Sequence, residues 1–466
     1  MRLRQGTTCL IALFLLPCAI AAAGSQAVHE YALDNGMKVL VQTDRRAPVV
    51  VSQVWYRVGA VDEHRGLTGI SHLLEHMMFQ GTDDYAPGEM SDIIARHGGS
   101  ENAFTSYDYT AYYQKIASEH LGLMLRLEAD RMTDLRLQSE QFEPERRVVQ
   151  EERSQRVDDQ PRSLTWERLR AAAFPASARR QPIIGWGADI ESLSLEQTQS
   201  WYERWYAPDN ATLVVVGDVD PERVRKLAQR HFGDKQPAGQ TGGLPDPAIS
   251  PRGETRLKVH APAKLPYLAM GWRVPSLATA DDAADIYALD VLNGILDGGR
   301  SSRIQRRIVR EQGLAASAGA SFSMVARTDT LFRVSATPAQ GTEIAQLEQA
   351  LRAEVERLKS GDIERAELER VKTNVRASDI FQRDSMFYQA MRIGMLETVG
   401  LGHEAHQAYL EGVERVTAED VRRVARRYLT DRRLTLARLV PEGVEASPGT
   451  TDAAAQDNGG QHGEAE

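Results

Sequence analysis

The sequence predicts an α+β fold built from two related halves, and three observations carry that reading. β-Branched and aromatic runs alternate with amphipathic helical patterns along the chain. Residues 233–255 break the pattern with Pro237, Gly239, Gly242, Gly243, Pro245, Pro247 and Pro251, which is linker composition. A repeat spans that linker. Before it, Glu191-Ser192-Leu193 is followed by Trp205-Tyr206-Ala207-Pro208-Asp209 and the strand-like Leu213-Val214-Val215. After it, Glu414-Arg415-Val416 is followed by Tyr428-Leu429-Thr430-Asp431 and Leu434-Thr435-Leu436. The expected organisation is a leader (1–23), a first domain (28–232), the linker (233–255), a second domain (256–441) and a tail (442–466).

The leader has the pattern of a secretory signal. Arg2 and Arg4 precede the apolar stretch Leu10–Ile20, which is too short to span a bilayer comfortably, and Ala21-Ala22-Ala23 offers a small-residue cleavage site. That places the mature chain in the periplasm or outside the cell, unless the segment is kept as an anchor. Both cysteines, Cys9 and Cys18, lie in the leader. The mature chain therefore has no disulfide, no Cys nucleophile and no thiolate metal ligand.

Tyr31–Val41 reads as a hairpin turning on Asn35-Gly36, the favoured two-residue type I′ pair. Val49–Gly59 reads as a strand, and Ser118–Met132 and Pro144–Arg156 as helices, with Pro144 at a first helical position. Ala211–Asp218 is a buried strand closed by Gly217. The second-half counterpart of the first-half helix around residue 73 is Asp285–Leu296, and it carries Asp, Tyr and Leu. The tail is rich in Ala, Gly, Asp and Gln without apolar periodicity, a disordered composition.

The chemistry points to His72-Leu73-Leu74-Glu75-His76. On a helix, positions i, i+3 and i+4 share a face, so His72, Glu75 and His76 point together. Two imidazoles four residues apart grip one Zn²⁺, and the carboxylate between them moves a proton. This is the inverted form, His-x-x-Glu-His, of the zinc-protease motif. Two His and a Glu among Leu and Met would be costly without a partner, and metal ligation removes that cost. A catalytic zinc needs a third protein ligand, and with no Cys it must be a carboxylate elsewhere. The helix Glu143–Arg153 is acidic on one face, with Glu145 and Glu152 two turns apart on the same side.

These motifs resemble the M16 inverzincin peptidases: His-x-x-Glu-His, a Glu some 75 residues later, Gly98-Gly99, Asn102-Ala103-Phe104-Thr105 and Trp205–Asn210. The resemblance covers most of residues 28–441. It implies two α/β-sandwich halves, each an antiparallel-rich sheet packed with helices, in a clamshell architecture. It implies a single zinc per chain held by His72, His76 and Glu152, with Glu75 as catalytic base and Glu145 in support. Glu151 is then an exposed helix charge. It also implies that Asn102, Ala103, Phe104 and Thr105 form an edge strand that pairs with an extended peptide or unfolded protein substrate.

One departure stands out. Many single-chain family members carry an Arg and a Tyr seven residues apart in the second half. Here Ala316 stands where the Tyr is expected, and Arg310 is one residue out of step. The chain resembles the zinc-bearing member of a pair, so a homo- or heterodimer is expected with an M16-like subunit that supplies the missing Arg/Tyr pair. The other reading is a non-catalytic scaffold or assembly subunit of the same fold. A net charge of −9 gives no support to nucleic-acid binding. The chain has no Gly-x-Ser-x-Gly elbow, and Gly298-Gly299-Arg300-Ser301 lacks the Gly-Lys-Ser/Thr end of a phosphate loop.

Overall fold

A computed structural model of the chain describes residues 27–239 and 253–442. The leader, most of the linker and nearly all of the tail lie outside these residues. In the first half the elements are β1 (Val28–Ala32), β2 (Lys38–Thr43), β3 (Val49–Tyr56), α1 (Ile70–Met77), α2 (Glu89–Arg96), β4 (Ser100–Thr105), β5 (Thr110–Ala117), α3 (Leu121–Thr133), α4 (Ser139–Arg153), α5 (Pro161–Ala173), α6 (Gly187–Ser192), α7 (Leu195–Trp205), β6 (Ala211–Gly217) and α8 (Pro221–Phe232). The second half contains β7 (Thr255–Pro262), β8 (Tyr267–Val274), α9 (Ala283–Asp297), β9 (Ala315–Ser321), β10 (Thr330–Pro338), α10 (Ile344–Ser360), α11 (Arg365–Gln382), α12 (Met386–Thr398), α13 (Ala405–Arg415), α14 (Ala418–Tyr428) and β11 (Leu434–Glu442).

Each half folds around one mixed sheet. The strand orders are β1-β2-β6-β3-β5-β4 and β7-β11-β8-β10-β9. Without β1 they correspond strand for strand, down to the single parallel pair in each, β2/β6 and β7/β11. The two-domain α+β fold is thus an internal duplication, as the repeat across the linker predicts.

Alternation along the strands explains the layers. Val39, Val41, Val50, Val54 and Tyr56 face a core built with α1, α3, α4, α7 and α8. Leu40, Val51, Trp55, Val214 and Val216 face the other way and pack against Ala390 and Ile393 of α12, a helix from the second half. The exchange is reciprocal. Leu169 and Ala173 of α5, from the first half, cover Ala269, Leu331 and Ala437 on the second sheet. Contact at α12 is close: a Cβ on Gly394 would lie 2.1 Å from the Trp55 indole nitrogen.

Buried ion pairs tie the halves together. Arg327 donates to both oxygens of Asp62, at 2.5 and 2.9 Å, with both side chains nearly inaccessible. Asp108 accepts from the Arg327 backbone N–H and from Arg179.

Two local expectations need correction. The first hairpin pairs Ala32 with Lys38, so its loop is longer than the type I′ turn expected at Asn35-Gly36. Asn35 instead donates to the carbonyls of Phe232 and Lys235, which anchors the loop to the end of α8. The helix expected to open at Pro144 begins at Ser139, with Pro144 inside it. Phe142, buried in the core, holds the earlier turn in place.

Candidate metal centre

α1 is short and mostly buried, and its N-terminus is fixed by the loop before it. Glu63, fully enclosed, accepts from the Gly69 N–H at 2.7 Å and the Ser71 N–H at 3.0 Å, two donors a helix start leaves free. Burial pushes the Glu63 carboxyl up to about 7 despite these bonds. Asp189 accepts from the Gly66 N–H and the Thr68 hydroxyl. Gly69 has φ +86 and Gly185 φ +90, and a Cβ on either would meet a carbonyl oxygen at 2.4 or 2.5 Å. Only glycine permits this close crossing of the two segments.

The same crossing reaches α4. Arg153 donates to the Gly185 carbonyl at 2.7 Å and to Glu167, and it is adjacent to Glu152 in the chain. One buried network therefore fixes both helices that carry the expected ligands. No spacing rule in the sequence marks Glu63, Asp189 or Arg153, because their partners, mostly backbone groups with Thr68 and Glu167 besides, are brought close only by folding.

At the centre, Glu152 Oε2 lies 3.5 Å from His72 Nε2 and 3.5 Å from His76 Nε2. Tetrahedral ligands about 2.0–2.1 Å from zinc stand about 3.3–3.4 Å apart, so the donor set matches that ion. Glu152 Oε2 is buried with no hydrogen-bond partner, the condition of an atom whose partner is a cation. Among the described residues this is the one grouping of three or more His, Cys, Asp or Glu side chains close enough to hold an ion.

The surrounding groups prepare these atoms. Burial, with His76 and Arg156 nearby, holds His72 down to about 3, so its imidazole is neutral and ready to ligate. Glu145 Oε2 lies 3.1 Å from His76 Nδ1, and Gln80 donates to its other oxygen. That contact turns Nε2 towards the centre. Burial alone would push His76 down, but Glu145, Glu152 and Glu75 together raise it. Arg156 holds Glu152 Oε1 at 2.6 Å and leaves Oε2 facing the two imidazoles. Glu151 points away and accepts from Gln155.

Glu75 projects beside this group. Burial raises its carboxyl, against a hydrogen bond from the Thr105 hydroxyl. Thr105 ends β4, the edge strand of the first sheet. Along that edge the Ala103 N–H turns to the Asn102 side-chain oxygen instead of to β5. Asn102, Ala103, Phe104 and Thr105 thus form an open strand edge that leads to Glu75. In the second half, Ala316 is exposed on β9 and Arg310 donates to the Arg300 carbonyl. Ala316 supplies no hydroxyl.

Comparison with known proteins decides the lineage. Residues 38–186 match the model described as Insulinase (Peptidase family M16), and residues 192–375 match that of the Peptidase M16 inactive domain. The chain is 33% identical to the zinc protease PqqE of Helicobacter pylori over 358 residues, which is 76% of this chain and 79% of that protein. This chain belongs to peptidase family M16. An uncharacterized zinc protease of Bacillus subtilis, YmxG, is 27% identical over 89% of this chain and 99% of its own. Among solved structures, a protease from Helicobacter pylori superposes with a TM-score of 0.85 at 29% identity, over 90% of this chain and 100% of that one. The periplasmic protease PqqL of Escherichia coli shares the fold at 18% identity and a TM-score of 0.74, with 92% of this chain matched to 49% of PqqL.

Proposed function

We propose that this M16 chain is a zinc-dependent endopeptidase that hydrolyses peptides or unfolded protein segments in the periplasm, together with an M16-like partner subunit. The observation that carries the reading is the convergence of His72 Nε2, His76 Nε2 and the otherwise unpartnered Glu152 Oε2 beside Glu75. His72, His76 and Glu152 would hold the ion. Bound zinc supplies the Lewis acidity that activates water near neutral pH and polarises a peptide carbonyl.

The chain's own residues do the rest. Glu75 takes the proton of the attacking water and passes it to the leaving amine. Its raised carboxyl suits both transfers. Glu145 holds the His76 ring, and Glu63 and Arg153 hold the helices beneath the ligands. The β4 edge pairs with the substrate main chain, which favours extended peptides over compact proteins.

Three features support the assignment to a pair and to the periplasm. Ala316 leaves an oxyanion without the phenol that the family's second half offers, so a partner subunit supplies it. The match to about half of PqqL supports a working unit of twice this length. The leader pattern of residues 1–23 supports export. The test is reconstitution of the metal-stripped chain with zinc, followed by peptide cleavage with and without candidate M16 partners. Turnover that returns with about one zinc per chain, and rises with a partner, is expected. A reloaded chain that stays inert with every partner favours the scaffold reading.

A further inference from the structure

The duplication leaves a second copy of the metal centre, and its fate is readable position by position. β3 and β8 have the same length, and aligning them residue for residue sets the register between halves. That register carries Leu73, Leu74, Met77 and Met78 onto Val291, Leu292, Ile295 and Leu296, all buried. It carries Gly81, with φ 97, onto Gly299, with φ 105. It therefore places His72 on Asp290, Glu75 on Asn293 and His76 on Gly294. Counted from their first residues, α4 and α11 align the core positions Phe142 with Leu368 and Val149 with Val375. They also align Glu145 with Val371 and Glu152 with Ser378.

All five replacements, Asp290, Asn293, Gly294, Val371 and Ser378, line a single cavity of about 560 Å³ between α9, α11, α12 and α13. The cavity has lost both imidazoles and the ligand carboxylate, so it no longer suits zinc. It keeps hydrogen-bond acceptors. Among the described residues, the one donor to the Asp290 carboxylate is the Tyr409 hydroxyl at 2.7 Å, and burial raises that carboxyl. Asn293 Oδ1 is buried with no partner. Ser378 Oγ accepts from Gln382 at 3.1 Å, its one donor among the described residues. At the far end of the cavity the Asp379 carboxylate is shared, pairing with Arg383 at 2.6 Å and Arg392 at 3.4 Å and accepting from His406. The one cationic side chain on that wall, Arg392, is thus held by Asp379 away from the Asp290 end. Met324, Met391 and Met395 supply adaptable apolar wall.

We propose that this cavity binds a protonated primary amine on an apolar body, with Asp290, Asn293 and Ser378 around the ammonium and the three methionines along the hydrocarbon. An ammonium offers three donors to three acceptors. Where the first half is built for a metal dication, the second is built for an organic monocation. The source is either a free alkylamine or a lysine side chain of a peptide. The proposal does not depend on whether the first half cleaves peptides.

The test is calorimetric titration of the full chain with hexylamine, hexanol and hexanoate. Saturable binding of hexylamine, weaker binding of hexanol and none of hexanoate are expected. Asp290→Asn should weaken hexylamine about tenfold or more, the loss of one charge-assisted bond, and leave hexanol unchanged. Ser378→Trp should fill the cavity and abolish both, with melting temperature and zinc content checked in each variant. Displacement of hexylamine by a lysine peptide, but not by its norleucine counterpart, assigns the site to side chains. Displacement by neither assigns it to free amines. Absence of saturable hexylamine binding, or binding indifferent to Asp290→Asn, overturns the proposal.

Discussion

Each residue around the centre has a separable task, and substitution separates them. Glu145 touches His76 and not the ion position, so Glu145→Gln should weaken zinc binding about 10–100-fold in a chelator competition. Glu75 ligates nothing, so Glu75→Gln should keep its zinc and lose about 10²–10⁴ in peptide turnover. Glu63 makes the cap of α1 sensitive to pH. Its folded carboxyl sits at about 7 against an ordinary 4.5, so the folded chain holds that proton more tightly than the unfolded one. The resulting stability is complete below pH 4.5 and lost as pH rises through 7, about 3 kcal/mol at most. Urea unfolding across that window should show the slope in the parent chain and not in Glu63→Gln. The grouping of His72, Glu75 and His76 was legible because helical spacing alone makes them neighbours. Glu152 needed the family resemblance to be chosen over Glu151. Glu63, Asp189 and Arg153 were not legible, since they act on backbone groups and side chains that no local pattern brings near.

Among the elements, β4 has the most exposed task. Its Ala103 N–H faces away from β5, so Ala103→Pro removes a donor from the open edge and spares the ladder. Peptide KM should rise several-fold, by about the worth of one main-chain hydrogen bond, while zinc content stays constant. An unchanged KM would show that the substrate does not pair there. Strand and helix identities were readable from alternation and apolar periodicity, but ends were not. Asn35-Gly36 has the composition of a tight turn, yet Asn35 spends its side chain on the end of α8. Pro144 looked like a helix start, yet burial of Phe142 extends the helix past it. In both cases a tertiary contact outweighed a local preference.

At the scale of the molecule, the halves hold each other by exchange. α5 lies on the second sheet and α12 on the first, and no sequence pattern states which sheet a helix will cover. The repeat made the duplication legible, but not the exchange. The Arg327–Asp62 pair crosses between halves in near-complete burial. Arg327→Ala leaves Asp62 buried without its partner and should cost about 3–5 kcal/mol in urea unfolding. A loss below about 1 kcal/mol would place the pair in solvent. The central claim is that the first half of this duplicated fold is a working zinc hydrolase. It is tested most directly by hydrolysis of an unstructured peptide by the purified, zinc-analysed chain beside its Glu75→Gln variant. Cleavage by the zinc-loaded chain, raised by a partner and lost in the variant, is the expected result. Equal cleavage by both, or none by a zinc-loaded chain with any partner, would contradict it.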